Sequence, residues 1–215
     1  MNVEALFEEF TQKRILVLGD VMIDSYMRGS VTRVSPEAPV PIINLKKTED
    51  RLGGAANVAL NLMALGAEPI LCAVIGNDKG GETFSSLLQI RNLTSEGIVK
   101  SGNRITTVKT RVIGNHQQLL RIDDEQTNDL TNAEENELIE KVKQIIASEI
   151  DAIIIEDYNK GLLTKRVIES VIQLANDNHI IIAVDPKKNN FFTYKNVTLF
   201  KPNLKELKEG LNTQF

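Results

Sequence analysis

The sequence holds a single cysteine, Cys72, so no internal disulfide can form. Cys72 lies in the apolar run from Pro69 to Gly76, where a small core residue is expected, and a reduced, cytoplasmic setting fits it. No apolar run reaches the length of a membrane span. The opening residues, MNVEALFEEFTQKR, carry acids where a secretory leader would be apolar. An excess of cations is also lacking. The net charge of −4 weighs against nucleic acid as a partner, because phosphate backbones require a basic surface. A small phosphorylated ligand needs only a few local cations and stays open. The chain has no G-x-x-x-x-G-K-[ST] loop, no G-x-G-x-x-G after a strand and no G-x-S-x-G elbow. His116 and His179 stand far apart with no cysteine or acid cluster at ligand spacing, so each is expected at a turn or surface. There is no internal repeat and no low-complexity segment.

What is present is ordinary globular material, 42% apolar and 25% charged over 215 residues, enough for one domain with a sizeable core. Short apolar runs at Arg14 to Gly19, Glu68 to Ile75, Ala152 to Ile155, Ile180 to Val184 and Val197 to Phe200 read as strands buried on both faces. Helical patterns separate them. Gly54 to Leu65 is apolar nearly all round and is expected inside the core. Asp78 to Gln89 follows a Gly-Asn break. Thr131 to Glu134 forms a capping box before the face Leu138, Ile139, Val142, Ile145 and Ile146. Thr164 caps a helix with inner face Val167, Ile168, Val171, Leu174 and Ala175. A last helix begins near Leu204. Strands alternating with helices predict an α/β fold with a doubly wound, mainly parallel sheet. Segments 31–46 and 105–123 break the rhythm: both are strand-like without an intervening helix. They predict antiparallel ribbons forming a small second layer, either a lid over a site or an extension of the sheet edge.

In an open parallel sheet, ligands bind beyond the carboxyl ends of the strands. Those ends carry Gly19-Asp20 through Asp24, Glu156-Asp157 through Lys160, Asp185-Pro186-Lys187, and Lys201-Pro202-Asn203 with Glu206. One such Asp is most often a turn former; four in parallel predict a small-molecule site. Gly53 and Gly54 at a helix start allow a ligand close to the backbone, and the free N–H groups there suit oxygen ligands. Asn57 and Asn61 share one face of that helix. Asn61 is expected to bond to nearby backbone and Asn57 to face the ligand.

The runs GDVMIDSY (19–26), RVSPEAPVP (33–41), RLGGAANVALNLMALGA (51–67), DYNKG (157–161), VDPK (184–187) and KPNLKE (201–206) together resemble the ribokinase-like (PfkB) carbohydrate kinases. Within that family, SPEAPVP followed by GGAANVA resembles the kinases that phosphorylate D-glycero-D-manno-heptose 7-phosphate at its anomeric carbon, in lipopolysaccharide core synthesis. The resemblance implies a transferase using ATP and Mg2+. It implies that Asp24, Gly53, Gly54, Asn57, Asp157 and Lys160 bind the sugar, with the Asp24 carboxylate accepting from hydroxyls. It assigns Asp185, Lys187, Asn203 and Glu206 to the nucleotide phosphates, with Glu206 of the N-x-x-E signature placing magnesium indirectly. Arg104, Lys109, Arg111 and Arg121 are candidates for a substrate phosphate, or else a solvated charged face. A homodimer through the lid strands is a further arrangement the family suggests; no nucleic acid or membrane partner is expected. The family's G-A-G-D run, with its catalytic base, has no counterpart before Phe215. The expectation is a partial kinase domain over 1–215, with the catalytic Asp and much of the ATP pocket beyond it and little activity alone. Two further departures lie near the expected site: Asn159, where relatives often have Ala, and Lys201, where they often have Thr.

Overall fold

The computed structural model describes residues 3–213. Strand β1 (Arg14–Gly19) lies inside a six-stranded sheet, with Leu16, Val17 and Leu18 fully shielded from water. A strand covered on both faces needs apolar side chains at successive positions. Burial of each contributes about 1.5–3 kcal/mol. β1 pairs in parallel with β4 (Glu68–Gly76) on one side and β8 (Ala152–Glu156) on the other. Beyond β4 stands β5 (Ile98–Ser101); beyond β8 stand β9 (Ile181–Asp185) and the two-residue β10 (Leu199–Phe200), all parallel. The order β10-β9-β8-β1-β4-β5 means that the chain first winds outward from β1 through β4 to β5, then returns to β8 and winds the other way. The reversal falls between β1 and β8, which is where such folds open a ligand crevice.

Helices α2 (Ala55–Ala64), α3 (Lys79–Ile90), α4 (Asn132–Ile146) and α5 (Lys165–Asp177) make the crossovers. Their starts follow from local chemistry. Asp78 accepts from the Gly81 N–H, Thr164 from the Val167 N–H, and Thr131 with Glu134 completes the capping box. Leu138, Val142, Ile145 and Ile146 of α4 and Val167, Ile168, Val171 and Ala175 of α5 are buried. Ile139 and Leu174 of the expected faces are only partly so. Helix α1 (Val3–Phe10) and strand β5 were not anticipated by the apolar pattern; α1 buries none of its residues and β5 spans only four. The short α6 (Leu204–Leu211) closes the described chain.

One expectation is corrected. α2 is not enclosed by core. Ala55, Ala56 and Ala59 seat one side of it, while Asn57 and Asn61 are both exposed. Three alanines make a narrow contact face, so the asparagine side turns to solvent rather than to buried backbone partners.

The second sheet stands apart with order β3-β2-β6-β7. Strands β2 (Val21–Val34) and β3 (Pro41–Gly54) form one antiparallel hairpin, and β6 (Val108–Gly114) and β7 (Gln117–Asp124) another. The hairpins meet through a parallel β2–β6 pair, so the ribbons are joined into one mixed sheet. This sheet begins ten residues earlier than the ribbon pattern suggested, at Val21, and β3 runs on to Gly54. Asp24 and Gly53 are therefore strand residues of the second sheet, and Gly54 is at once the end of β3 and the cap of α2. His116 and His179 are exposed and have positive φ of 67° and 57°, as turn residues do. Cys72 is fully buried in the core, and burial pushes its thiol pKa up.

Candidate functional site

The carboxyl ends of β1, β8 and β9 lie side by side, with Gly19 opposite Glu156 and Glu156 opposite Asp185. Gly19 is required there: a Cβ at that position would stand 2.2 Å from the Glu156 carbonyl oxygen. The next backbone N–H groups continue the ladder, Asp20 N–H to Glu156 O at 3.3 Å and Asp157 N–H to Asp185 O at 3.2 Å. Beside β9, the Lys201 N–H donates to Val184 O at 3.0 Å. The acids after four strands do share one rim, but they do different work.

Asp20 organises the loop after β8. Its carboxylate accepts from the backbone N–H groups of Tyr158 (2.9 Å), Lys160 (3.1 Å) and Leu162 (3.2 Å). Burial pushes its pKa up, against the pull of those three donors. The sequence reading placed Asp20 at the strand end without giving it this task. Asp157 is also turned inward, 2% exposed. It accepts from Tyr194 Oη at 2.7 Å, Asn190 Nδ2 at 3.1 Å and the Asn159 N–H at 2.8 Å. Every one of those contacts is with this chain's own loops, so Asp157 shapes the rim from behind. Asn159, which follows it, has φ of 54°, and its Oδ1 is buried without a hydrogen-bond partner.

On the second sheet, Asp24 Oδ1 accepts from Arg111 Nη1 at 2.6 Å. Its Oδ2 passes over Gly53, where a Cβ would lie 2.5 Å away, so only glycine lets the carboxylate sit there. Asp24, Tyr26 and Arg28 alternate along one face of β2, and their cross-strand neighbours Arg51 and Glu49 of β3 and Lys109 and Arg111 of β6 share that face. The guanidinium carbons of Arg28, Arg51 and Arg111 lie 5.3, 5.1 and 5.3 Å from the Tyr26 ring centre. Cations attract the ring's electron-rich face. Arg28, Tyr26 and Arg51 had not been singled out from the sequence, because the cluster forms only through strand pairing.

The remaining candidate cations are tied to acids or backbone. Lys109 Nζ reaches Asp123 at 3.0 Å and Glu125 at 2.8 Å; Arg121 holds Asp123 at 2.8 Å. Lys160 Nζ reaches the other oxygen of Glu125 at 2.7 Å, so Glu125 bridges the second sheet to the β8 loop. Both lysines hold Glu125 below the usual carboxylate range. Arg104 donates to the Asn128 and Lys160 carbonyls, which fixes it as a brace between loops.

At the other end of the rim, Asn203 and Glu206 form a capping box on α6. Asn203 Oδ1 accepts from the Glu206 N–H at 2.9 Å and Glu206 Oε2 from the Asn203 N–H at 2.8 Å. Glu206 Oε1 pairs with Lys187, whose ammonium also lies 5.7 Å from the Tyr158 ring centre. Burial works the other way, yet Lys187 and the Asn203 N–H hold Glu206 below the usual range. Lys201 Nζ stands 3.5 Å from Asp185 Oδ1. Asp185 Oδ1 is buried and has no hydrogen-bond partner. Burial and the neighbouring Asp185 push Glu156 up to about 7, and burial with both carboxylates pushes Tyr158 up to about 12. Among the described residues no group of three or more His, Cys, Asp or Glu is placed to hold a metal. Magnesium needs less: one or two carboxylates with phosphate oxygens and water. Asp185 Oδ1, with no hydrogen-bond partner and Lys201 at 3.5 Å, is of that donor type.

The pfkB family carbohydrate kinase pattern matches residues 12–214. The chain is 42% identical over 200 residues to a "Bifunctional protein HldE" of Helicobacter pylori strain G27, covering 93% of this chain and 43% of that protein. It is 39% identical over 205 residues to the HldE of Citrifermentans bemidjiense, covering 95% and 42%. The chain thus spans less than half the length of these curated relatives. Among solved structures, the tetrameric inhibited form of phosphofructokinase-2 from Escherichia coli superposes with a TM-score of 0.70 at 22% identity, covering 94% of this chain and 66% of that one. Arabidopsis thaliana ribokinase complexed with ribose and ATP superposes at 0.64 and 13% identity, covering 92% and 62%. At such identities the solved structures establish the fold, a ribokinase-like one. The sequence match over nearly the whole chain establishes more: this protein belongs to the pfkB family of carbohydrate kinases.

Proposed function

We propose that the chain is the sugar-binding portion of an ATP-dependent kinase acting on D-glycero-D-manno-heptose 7-phosphate, transferring phosphate to the anomeric hydroxyl for lipopolysaccharide core precursors. The observation that carries this is the shared face of the second sheet. There a carboxylate able to accept from sugar hydroxyls, Asp24, stands beside Arg28, Arg51 and Arg111 gathered on Tyr26. A phosphorylated sugar needs both kinds of group: acceptors for its hydroxyls and guanidinium donors for its phosphate. The name shared by the HldE relatives supports the heptose assignment over another sugar phosphate.

In this reading the second sheet is a lid, Asp24 and the Gly53-Gly54 backbone orient the sugar, and Arg51 and Arg111 hold its phosphate. Lys187 and Lys201 approach the nucleotide phosphates from the rim. Magnesium, when bound, would offset the charge of the transferring group; phosphoryl transfer depends on such positioning and charge stabilisation. The 215 residues contain no G-A-G-D run, so we infer sugar binding with little turnover by this chain alone. A cytoplasmic setting and pairing of two lids into a dimer belong to the same proposal. Among the described residues no helix is long and apolar enough to cross a membrane.

Calorimetry with the heptose phosphate, with fructose 6-phosphate and with ATP, each alone, tests the reading. Selective binding of the heptose phosphate, weakened in Asp24→Asn, is expected. Equal affinity for both sugars would move the assignment to another sugar phosphate, and no binding of either would overturn it.

A further inference from the structure

We propose that the outer end of the second sheet carries a second anion site, in which Arg28, Lys46 and His116 take a small di- or polyphosphate. The site is a cavity of about 300 Å3 lined by Arg28, Gly29, Ser30, Lys46, Ile113, Asn115 and His116. It does not rest on the heptose reading, which gives the substrate phosphate to Arg51 and Arg111 and leaves Arg28 without a task.

Three departures from regular sheet geometry deliver these side chains to one place. The first is a bulge. Arg28 pairs with Lys47 but Gly29 pairs with Leu45, so Lys46 is an extra residue in β3. Such bulges re-aim a side chain, and Lys46 lines the cavity. The second is the turn between β6 and β7. Asn115 and His116 have φ of 50° and 67°. A two-residue turn with both φ positive favours Asn-Gly, because glycine takes the second position at no steric cost. Here histidine occupies that position and lines the cavity. The third is a cross-link that makes the turn rigid. The Asn115 backbone N–H donates to Gly29 O at 3.2 Å, its Oδ1 accepts from the Val31 N–H at 3.2 Å, and its Nδ2 donates to Val31 O at 2.9 Å.

Charge points the same way. Deeper on the sheet the cations have acid partners: Lys47 and Arg51 pair with Glu49, Arg111 with Asp24, and Lys109 and Arg121 with Asp123. Arg28 and Lys46 form no ion pair among the described residues, and Arg28 is steadied only by the Tyr26 ring. The cavity lining contains no acid, in a chain whose net charge is −4. Two unpaired cations, an imidazole and the Ser30 hydroxyl suit a multiply charged oxyanion. A guanidinium fits phosphate in two-point contact, and an ammonium adds a mobile point charge.

Inorganic pyrophosphate, titrated into the 215-residue chain and followed by amide 1H–15N spectra, tests the assignment. Saturable shifts at Gly29, Ser30, Asn115 and His116 are expected. Arg28→Gln and Lys46→Gln should each weaken binding by about tenfold, the equivalent of one lost charge-assisted bond. His116→Gly should weaken it as well, while the unfolding midpoint in urea holds or rises, because glycine suits that turn. Shifts confined to Tyr26, Arg51 and Arg111, equal shifts in sodium chloride of matched ionic strength, or wild-type affinity in both Arg28→Gln and Lys46→Gln would each overturn the proposal. Calorimetry with the heptose phosphate on Lys46→Gln keeps the two sites apart. Unchanged sugar affinity with weakened pyrophosphate binding is expected, and parallel loss of both would overturn a separate site. Pyrophosphate binding in a wild-type chain that takes no heptose phosphate sinks the substrate assignment alone.

Discussion

Replacing Glu156 by Gln should stabilise the protein at pH 8 and leave its stability unchanged near pH 4. Glutamine keeps the shape and removes the charge. Burial, with the Asp185 charge beside it, raises Glu156 from an ordinary 4.5 to about 7. The folded state therefore holds this proton more tightly than the unfolded chain does. Below the unfolded value both states are protonated and the group costs nothing. Between about 4.5 and 7 the unfolded chain ionises first, and wild-type stability falls with rising pH. Above about 7 both states are ionised and the cost is constant. At about 1.4 kcal/mol per pH unit of difference, that cost is roughly 3 kcal/mol, and solvent screening at the rim reduces it to about 2. Urea unfolding of both proteins at pH 4, 6 and 8, without divalent cations, measures it. Titrating groups not coupled to Glu156 cancel in the difference between variant and wild type. A difference that does not change with pH, or a variant less stable at pH 8, would refute the reasoning.

Four further outcomes follow from the same geometry. Gly19→Ala drives a Cβ against the Glu156 carbonyl; it should cost about 3 kcal/mol in urea unfolding, in line with overpacking against backbone. Asp20→Asn turns an amide N–H toward backbone donors of the β8 loop. It should lose about 3 kcal/mol and speed hydrogen exchange at Tyr158, Lys160 and Leu162 first. Arg111→Lys cannot both donate to Asp24 and lie over Tyr26. Heptose phosphate affinity should fall by about tenfold, the equivalent of one lost charge-assisted bond, with the unfolding midpoint little changed. Asn203→Ala removes the acceptor for the Glu206 N–H and should lower stability by about 1 kcal/mol, read from the same urea curves.

The parallel sheet was legible because burial on both faces leaves a plain mark, an unbroken apolar run such as RILVLG or AIII. Two helix starts were legible because caps are local: Thr131 and Thr164 each satisfy an N–H three residues ahead, whereas the cap at Asp78 was not read. The second sheet was recognised but its origin was misplaced. VMIDSYM mixes buried and half-buried positions, so neither the alternating nor the continuous pattern is clean there. α2 was read as fully enclosed because its composition is apolar, yet alanine is compatible with a thin contact and an open far side. The Tyr26 cluster was invisible for a different reason. Asp24 and Arg111 lie 87 positions apart, and only the parallel β2–β6 register brings them together.

The rim also shows why residue type alone is a poor guide to role. Aspartate after a strand is first of all a turn former, and Asp20 and Asp157 behave that way, each closing several bonds within the chain. N-x-x-E at the start of α6 is first of all a capping box, and Asn203 and Glu206 satisfy it in full. What separates a ligand-binding acid from a structural one is whether the fold has already used its lone pairs. By that criterion the Glu156 carboxylate and Asp185 Oδ1 stand apart, with no hydrogen-bond partner among the described residues, and Asp24 keeps Oδ2 beside Gly53 while Arg111 fixes Oδ1. The second sheet carries a carboxylate among guanidiniums, whereas β8 and β9 end in a facing carboxylate pair with Lys201 at 3.5 Å from Asp185.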